Sequence, residues 1–213
     1  MSLLLFVIKI CRRSLTFSGD NYKIKVIYGD LFKMKGKKVI GFDECYTTEV
    51  GKEPYQVNPE SLCGQFLSKH PNIGIATLIS DTGLINSKEH SKYKNKVCYE
   101  SGSLLPYNDY LLLAFAKLNK DGLGIMSREE YLACLSKLWE EIDKYYGQED
   151  IVIPVLGAGV TRFQGDSLTQ QQLVDIMIAS YQLSSHKIKK PTTLHIVCRK
   201  SEDFSLNKIG QYI

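Results

Sequence analysis

At 213 residues the chain is long enough for one generous domain with a substantial core, and its 44% hydrophobic and 23% charged composition excludes both a disordered polypeptide and a polytopic membrane bundle. The formal charge of +4 is mild, and its lysines and arginines are scattered apart from short runs at residues 33–38 and 187–190. This argues against nucleic acid as the main partner and suits a small polyanionic ligand. The 6 cysteines are widely spaced with no Cys-x-x-Cys pair, which points to reduced thiols in a cytosolic compartment and away from a zinc site or a disulfide framework.

In chain order, the apolar stretch Leu3-Leu-Leu-Phe-Val-Ile8 is followed by Lys9, Arg12 and Arg13. It falls short of the roughly 20 apolar residues that span a bilayer, and its positive charges follow the apolar run instead of preceding it, unlike a cleavable signal. Residues 1–14 therefore form either a strand or the cytosolic end of a transmembrane helix cut off by the chain start, and residues 15–213 a single domain. Leu15 to Phe32 reads as a hairpin around residues 18–21, with a second arm that ends at Gly29-Asp30. Lys38-Val-Ile-Gly-Phe42 is a short strand delivering Asp43-Glu-Cys-Tyr-Thr-Thr48 at its carboxyl end. Asn58-Pro59 reads as the N-cap and first residue of a helix.

Residues 70–103 give no clear pattern. Tyr110 to Leu118 is apolar almost throughout, as expected of a buried strand. Ser127-Arg-Glu-Glu130 is a capping box, and Tyr131, Leu132, Leu135, Leu138, Trp139, Ile142 and Tyr146 recur at helical spacing up to Gly147. That spacing puts Trp139, the single tryptophan, in the core. Thr193 to Cys198 reads as a last strand and residues 202–213 as a closing helix. His70, His90, His186 and His195 show no ligand spacing, and His195 on its strand reads as a packed residue. Strands alternate with helices, which makes the fold α/β.

The most informative stretch is Ile151-Val-Ile-Pro-Val-Leu-Gly-Ala-Gly159, an apolar run ending in glycines and followed by a helix capped by Ser167 or Thr169. Gly157 and Gly159 lack Cβ atoms, so the backbone there can turn tightly and bring its N–H groups close to a ligand. The pattern is neither a Walker loop, since no Gly-Lys-Ser/Thr follows, nor a dinucleotide fingerprint, since the third glycine position is Arg162. By itself it serves a plain connection as readily as a phosphate cradle.

Taken together, Tyr28-Gly-Asp-Leu-Phe32, Val39-Ile-Gly-Phe-Asp-Glu-Cys-Tyr-Thr-Thr48 and Ile153-Pro-Val-Leu-Gly-Ala-Gly-Val-Thr-Arg-Phe163 resemble, in the right order, the strand ends and diphosphate loop of macro domains. The helix start Ser61-Leu-Cys-Gly64 is similar to that of the divergent macro domain of bacterial Thoeris-type anti-phage effectors. The resemblance implies a single three-layer α/β/α domain with a mixed central sheet that binds ADP-ribose. It implies that Asp30 accepts a hydrogen bond from the adenine amine beside the Leu31 N–H, and that Gly157, Ala158, Gly159, Val160 and Thr161 wrap the diphosphate. Phe163 would stack near the distal ribose and Arg162 pair with a phosphate. Asp43, Glu44, Thr47 and Thr48 would face the distal ribose or its substituent, with Ser61, Leu62 and Gly64 at the neighbouring helix start.

Phe42-Asp-Glu-Cys45 stands where ordinary macro domains have Asn-Ala-Ala-Asn, and no glycine run follows. The asparagine of hydrolytic members has no counterpart, so the resemblance implies binding without catalytic residues, metal or cofactor, the ligand being ADP-ribose or a derivative. The signal would come from a TIR-domain enzyme acting on NAD, and the sensor would act in the cytoplasm or at the inner membrane face, as a homo-oligomer or through a membrane anchor at its N-terminus. Two alternatives stay open. One is an ADP-ribosyl hydrolase or ADP-ribose phosphatase with Asp43 or Glu44 as general base; the other is a structural or oligomerisation domain in which the glycine turn is only a turn.

Overall fold

The computed structural model describes residues 13–159, 161–165, 167–202 and 204–210. The N-terminal apolar segment discussed above lies outside them up to Arg12, as does Val160.

Five strands form a parallel centre in the order β2 (Lys23–Tyr28), β9 (Leu194–Cys198), β7 (Ile151–Pro154), β3 (Lys37–Asp43) and β5 (Tyr110–Leu118). Antiparallel strands flank it. β1 (Ser14–Ser18) pairs with β2 in the expected hairpin, and β4 (Leu104–Tyr107) pairs with β5 across a turn at Asn108-Asp109. Beyond the end of β5 the ladder continues through β6 (Gly124–Met126), antiparallel to β5, and the two-residue β8 (Arg162–Phe163), parallel to β6. The sheet is mixed, as the resemblance implies.

Side-chain alternation along the central strands feeds two separate cores. Val39, Leu111, Leu113, Ile151, Ile153, Leu194 and Ile196 face α3 (Arg128–Tyr145) and α4 (Gln170–Leu183). Ile40, Phe42, Leu112, Ala114, Val152 and Val197 face α1 (Leu62–Lys69), and α2 (Ile75–Thr82) packs Ile75, Leu78 and Ile79 against the same core. The result is a three-layer α/β/α domain. Trp139 is fully buried, and its indole N–H donates to Ser180 Oγ at 3.1 Å, tying α3 to α4.

Both long helices begin in capping boxes, Ser127 with Glu130 and Thr169 with Gln172; the second settles the choice between Ser167 and Thr169. The start of α1 differs from expectation. Its N-cap is Ser61, whose hydroxyl accepts from Gly64 N–H at 3.0 Å, while the Asn58 side chain accepts from Glu60 N–H in a turn one step earlier. A serine and an asparagine three residues apart compete for the same role, and the serine wins because its hydroxyl also donates to Asn58 C=O at 2.6 Å. The closing helix is reduced, among the described residues, to a single 3-10 turn at Leu206–Lys208. No helix among the described residues is long and apolar enough to cross a membrane.

Candidate functional site

Because β2, β9, β7, β3 and β5 run parallel, their carboxyl ends emerge on one edge, where open α/β sheets place their ligands. A cleft of about 540 Å³ lies there. It is lined by the glycine loop after β7, by β8, by the residues leading into α4 and by the exit of β9 at Arg199, Lys200 and Ser201.

The loop's shape follows from its own residues. After Val155 the chain turns with Ala158 N–H donating to Val155 C=O, and Gly157 takes φ 84°, a left-handed backbone that residues with a Cβ resist. A Cβ on Gly157 would also stand 2.9 Å from the ring of Phe163. That ring is held edge-on to Tyr131, 5.5 Å between centroids at 88°, and the Tyr131 hydroxyl donates to Leu156 C=O at 3.1 Å. Burial raises the Tyr131 pKa well above its ordinary value, so the phenol keeps the proton it donates. Gly159 is different. Its φ lies outside the left-handed range, and nothing lies within 4 Å of where its Cβ would be. The protein therefore has a steric reason for Gly157 and none for Gly159.

Gly157, Ala158, Gly159, Thr161, Arg162 and Phe163 thus line one cleft. The other candidates stand elsewhere on the same edge. Asp30 follows β2, which pairs with β9 in a register that sets Tyr28 beside Cys198, so Asp30 leaves the sheet alongside the β9 exit. Its Oδ1 accepts from Phe32 N–H at 3.0 Å, capping a 3-10 turn in which Leu31 is buried. Asp43 Oδ1 accepts from the N–H groups of Cys45 and Thr47, closing the turn after β3 in which Tyr46 adopts φ 51°. Glu44 is buried and accepts from Leu118 N–H at 3.0 Å, on the wall of a second cavity of about 390 Å³ beside β6. Thr48 is exposed. Ser61 is occupied in capping, Leu62 packs against the smaller core, and a Cβ on Gly64 would meet Asn58 C=O at 2.2 Å. Gly64 is thus required for helix packing whether or not a ligand is present.

Gln170 and the Arg199-Lys200-Ser201 exit escaped the sequence reading. The signal for the exit was available, since these residues follow the carboxyl end of a parallel strand as directly as Asp30 and Asp43 do. Gln170 has no such signal, because its role depends on the meeting of α4 with β9. His195 is half-buried and its Nε2 lies 3.0 Å from Asp150 Oδ2, at the amino ends of the strands, away from the cleft. Among the described residues no group of three His, Cys, Asp or Glu side chains is disposed to hold a metal.

The family model described as the macro domain of Thoeris protein ThsA matches residues 24–199. Thoeris protein ThsA of Bacillus amyloliquefaciens (strain Y2) is 24% identical over 221 residues, covering 97% of this chain and 74% of that protein. Among solved structures, a point variant of the Oceanobacillus iheyensis macrodomain with ADPR superimposes with a TM-score of 0.52 at 9% identity, over 88% of this chain and 91% of that one. A second variant of the same macrodomain gives 0.51 at 10% identity, over 91% and 93%. At such identities these two structures speak to the fold alone.

Proposed function

The chain belongs to the macro-domain family of Thoeris protein ThsA, and from that premise we propose that it binds an ADP-ribose-like, NAD-derived nucleotide and acts as a sensor. The observation that carries this reading is the cleft at the carboxyl edge. Its glycine loop turns at Gly157 and leaves open space at Gly159, while Arg162, Arg199 and Lys200 line it with no carboxylate among the described lining residues. A diphosphate is met there by backbone N–H groups and by positive charge together. The Oceanobacillus iheyensis macrodomain of like fold is a complex with ADPR, and the proposal carries that ligand class over to this chain.

The nucleotide is the product of a TIR-domain enzyme acting on NAD in anti-phage defence, and binding is coupled to an effector. The 43–64 and 157–165 loops close on the diphosphate, and the ligand's higher affinity for the closed state shifts an assembly equilibrium, as a homo-oligomer in the cytoplasm or at the inner membrane face. Asp43 and Glu44 are engaged by backbone N–H groups of the fold, which favours binding over hydrolysis.

Isothermal titration calorimetry against ADP-ribose, ADP and NAD, with Asp30→Ala alongside, tests the proposal. Micromolar or tighter binding of ADP-ribose, weakened in the variant, is the expected result. Absence of heat with all three ligands refutes it and leaves a scaffold domain.

A further inference from the structure

The β9 exit is held in an unusual way for a loop at the mouth of a cleft. Gln170, the first residue of α4, meets both backbone polar groups of Arg199: its Oε1 accepts from Arg199 N–H at 3.0 Å and its Nε2 donates to Arg199 C=O at 2.9 Å. The same Nε2 lies 3.2 Å from Ser201 Oγ. One side-chain amide thus holds the backbone of Arg199 and, beyond Lys200, reaches the Ser201 hydroxyl, at the point where the chain leaves the sheet.

What this clamp holds is a pair of adjacent cations. Arg199 and Lys200 are exposed, they share the cleft with Arg162, and among the described lining residues no carboxylate offsets the three of them. Like charges gathered on one concave surface repel one another, and the arrangement becomes favourable when an anion enters. A loop needed only to join β9 to the C-terminal segment requires neither the charge nor the clamp. The glycine turn offers backbone donors within the same cleft but carries no formal charge, so backbone and cations recognise different properties of one ligand.

We infer that Arg199 and Lys200, positioned by Gln170, form the cationic half of the diphosphate site and make the cleft selective for nucleotides carrying two linked phosphates over nucleoside monophosphates. This rests on the nucleotide-binding reading above. Arg199 and Lys200 are the contacting residues; Gln170 is a positioning residue that acts through them.

The experiment is calorimetric titration of the full chain with ADP-ribose and with AMP, at low and high salt, for wild type, Arg199→Ala/Lys200→Ala and Gln170→Met. Wild type is expected to prefer ADP-ribose and to lose affinity as salt screens the cations. The double variant should bind ADP-ribose about tenfold more weakly, with a flattened salt dependence and a reduced preference over AMP. Gln170→Met should give part of that loss, and no further loss when combined with the double variant, because a positioning residue has nothing left to position. Wild-type affinity and salt dependence in a folded double variant overturn this inference while leaving the nucleotide-binding reading intact. Additive loss from Gln170→Met in the double-variant background overturns the positioning role. If wild type binds neither nucleotide, the nucleotide-binding reading falls and this inference with it.

Discussion

Gly157 and Gly159 sit two residues apart in one turn, and substitution should fail them in different ways. At Gly159 a Cβ meets nothing within 4 Å and the backbone is outside the left-handed range, so Gly159→Val should change stability by no more than about 0.5 kcal/mol, as for an exposed position. At Gly157 the left-handed backbone alone costs a residue with a Cβ about 1–2 kcal/mol. The new methyl also stands 2.9 Å from the Phe163 ring and 3.4 Å from Leu173 Cδ2. Relief of that overlap against a ring held by Tyr131 adds about 1 kcal/mol. Gly157→Ala should therefore melt roughly 5–10 °C below wild type, whereas Gly159→Val melts with wild type and places its side chain where the ligand's phosphates would lie. Thermal denaturation by circular dichroism and titration with ADP-ribose on the same samples measure both. Undiminished ADP-ribose binding by Gly159→Val would refute the assignment of the cleft, and a wild-type melting temperature for Gly157→Ala would refute the steric account of the turn.

Three further outcomes follow from other parts of the fold. Gly64→Ala, whose Cβ would overlap Asn58 C=O and Pro59 Cα, should destabilise the protein by about 1–3 kcal/mol in urea denaturation yet bind nucleotide normally while folded; lost binding without lost stability would make Gly64 a ligand contact. Burial raises the Asp175 pKa above its ordinary 3.8, so the folded state holds this proton more tightly than the unfolded state. Its contribution is then most favourable below 3.8 and is lost as pH rises through the folded value, and Asp175→Asn should remove that component from the urea midpoint measured against pH. In a Cys11→Ser background the described cysteines should react slowly with thiol reagents at neutral pH until the protein unfolds, because burial raises Cys63 and Cys134 and pushes Cys45 and Cys198 up to about 12. Rapid labelling of the native protein would contradict this.

The elements with strong local chemistry were the ones legible in the sequence. The capping box at Ser127, the hairpin before Lys23 and the strand into the glycine turn each carry their signal within a few residues, and each stands where expected. Strands β4, β6 and β8 were not legible. β4 ends at Tyr107, and Asn108, with a φ of 49°, makes the tight turn into β5, so Asn108-Asp109 is the tip of a hairpin. β8 is two residues long and exists only because β6 lies beside it, a pairing no local pattern announces. Nor could the continuous apolar run of β5 reveal which residues face which helices, since Leu111 and Leu112 differ only in the core that receives them.

The candidate site divides along a similar line, between groups that the fold consumes and groups that it leaves available. Carboxylates just after strands attract neighbouring backbone N–H groups, and the structure spends Asp43 on Cys45 and Thr47, Glu44 on Leu118, and one oxygen of Asp30 on Phe32. Among the described residues the cationic side chains of Arg162, Arg199 and Lys200 line the cleft, and the Arg199 carbonyl at the end of β9 is taken by the Gln170 amide. The acidic residues at the carboxyl edge are thus drawn into turns while Arg162, Arg199 and Lys200 remain directed to the cleft. A chain whose net charge is only +4 thus has a locally positive cleft built from cations that lie outside its basic runs at 33–38 and 187–190. The same division explains why the acidic strand ends looked like the active groups from sequence, whereas the exit of β9, which carries the charge, did not.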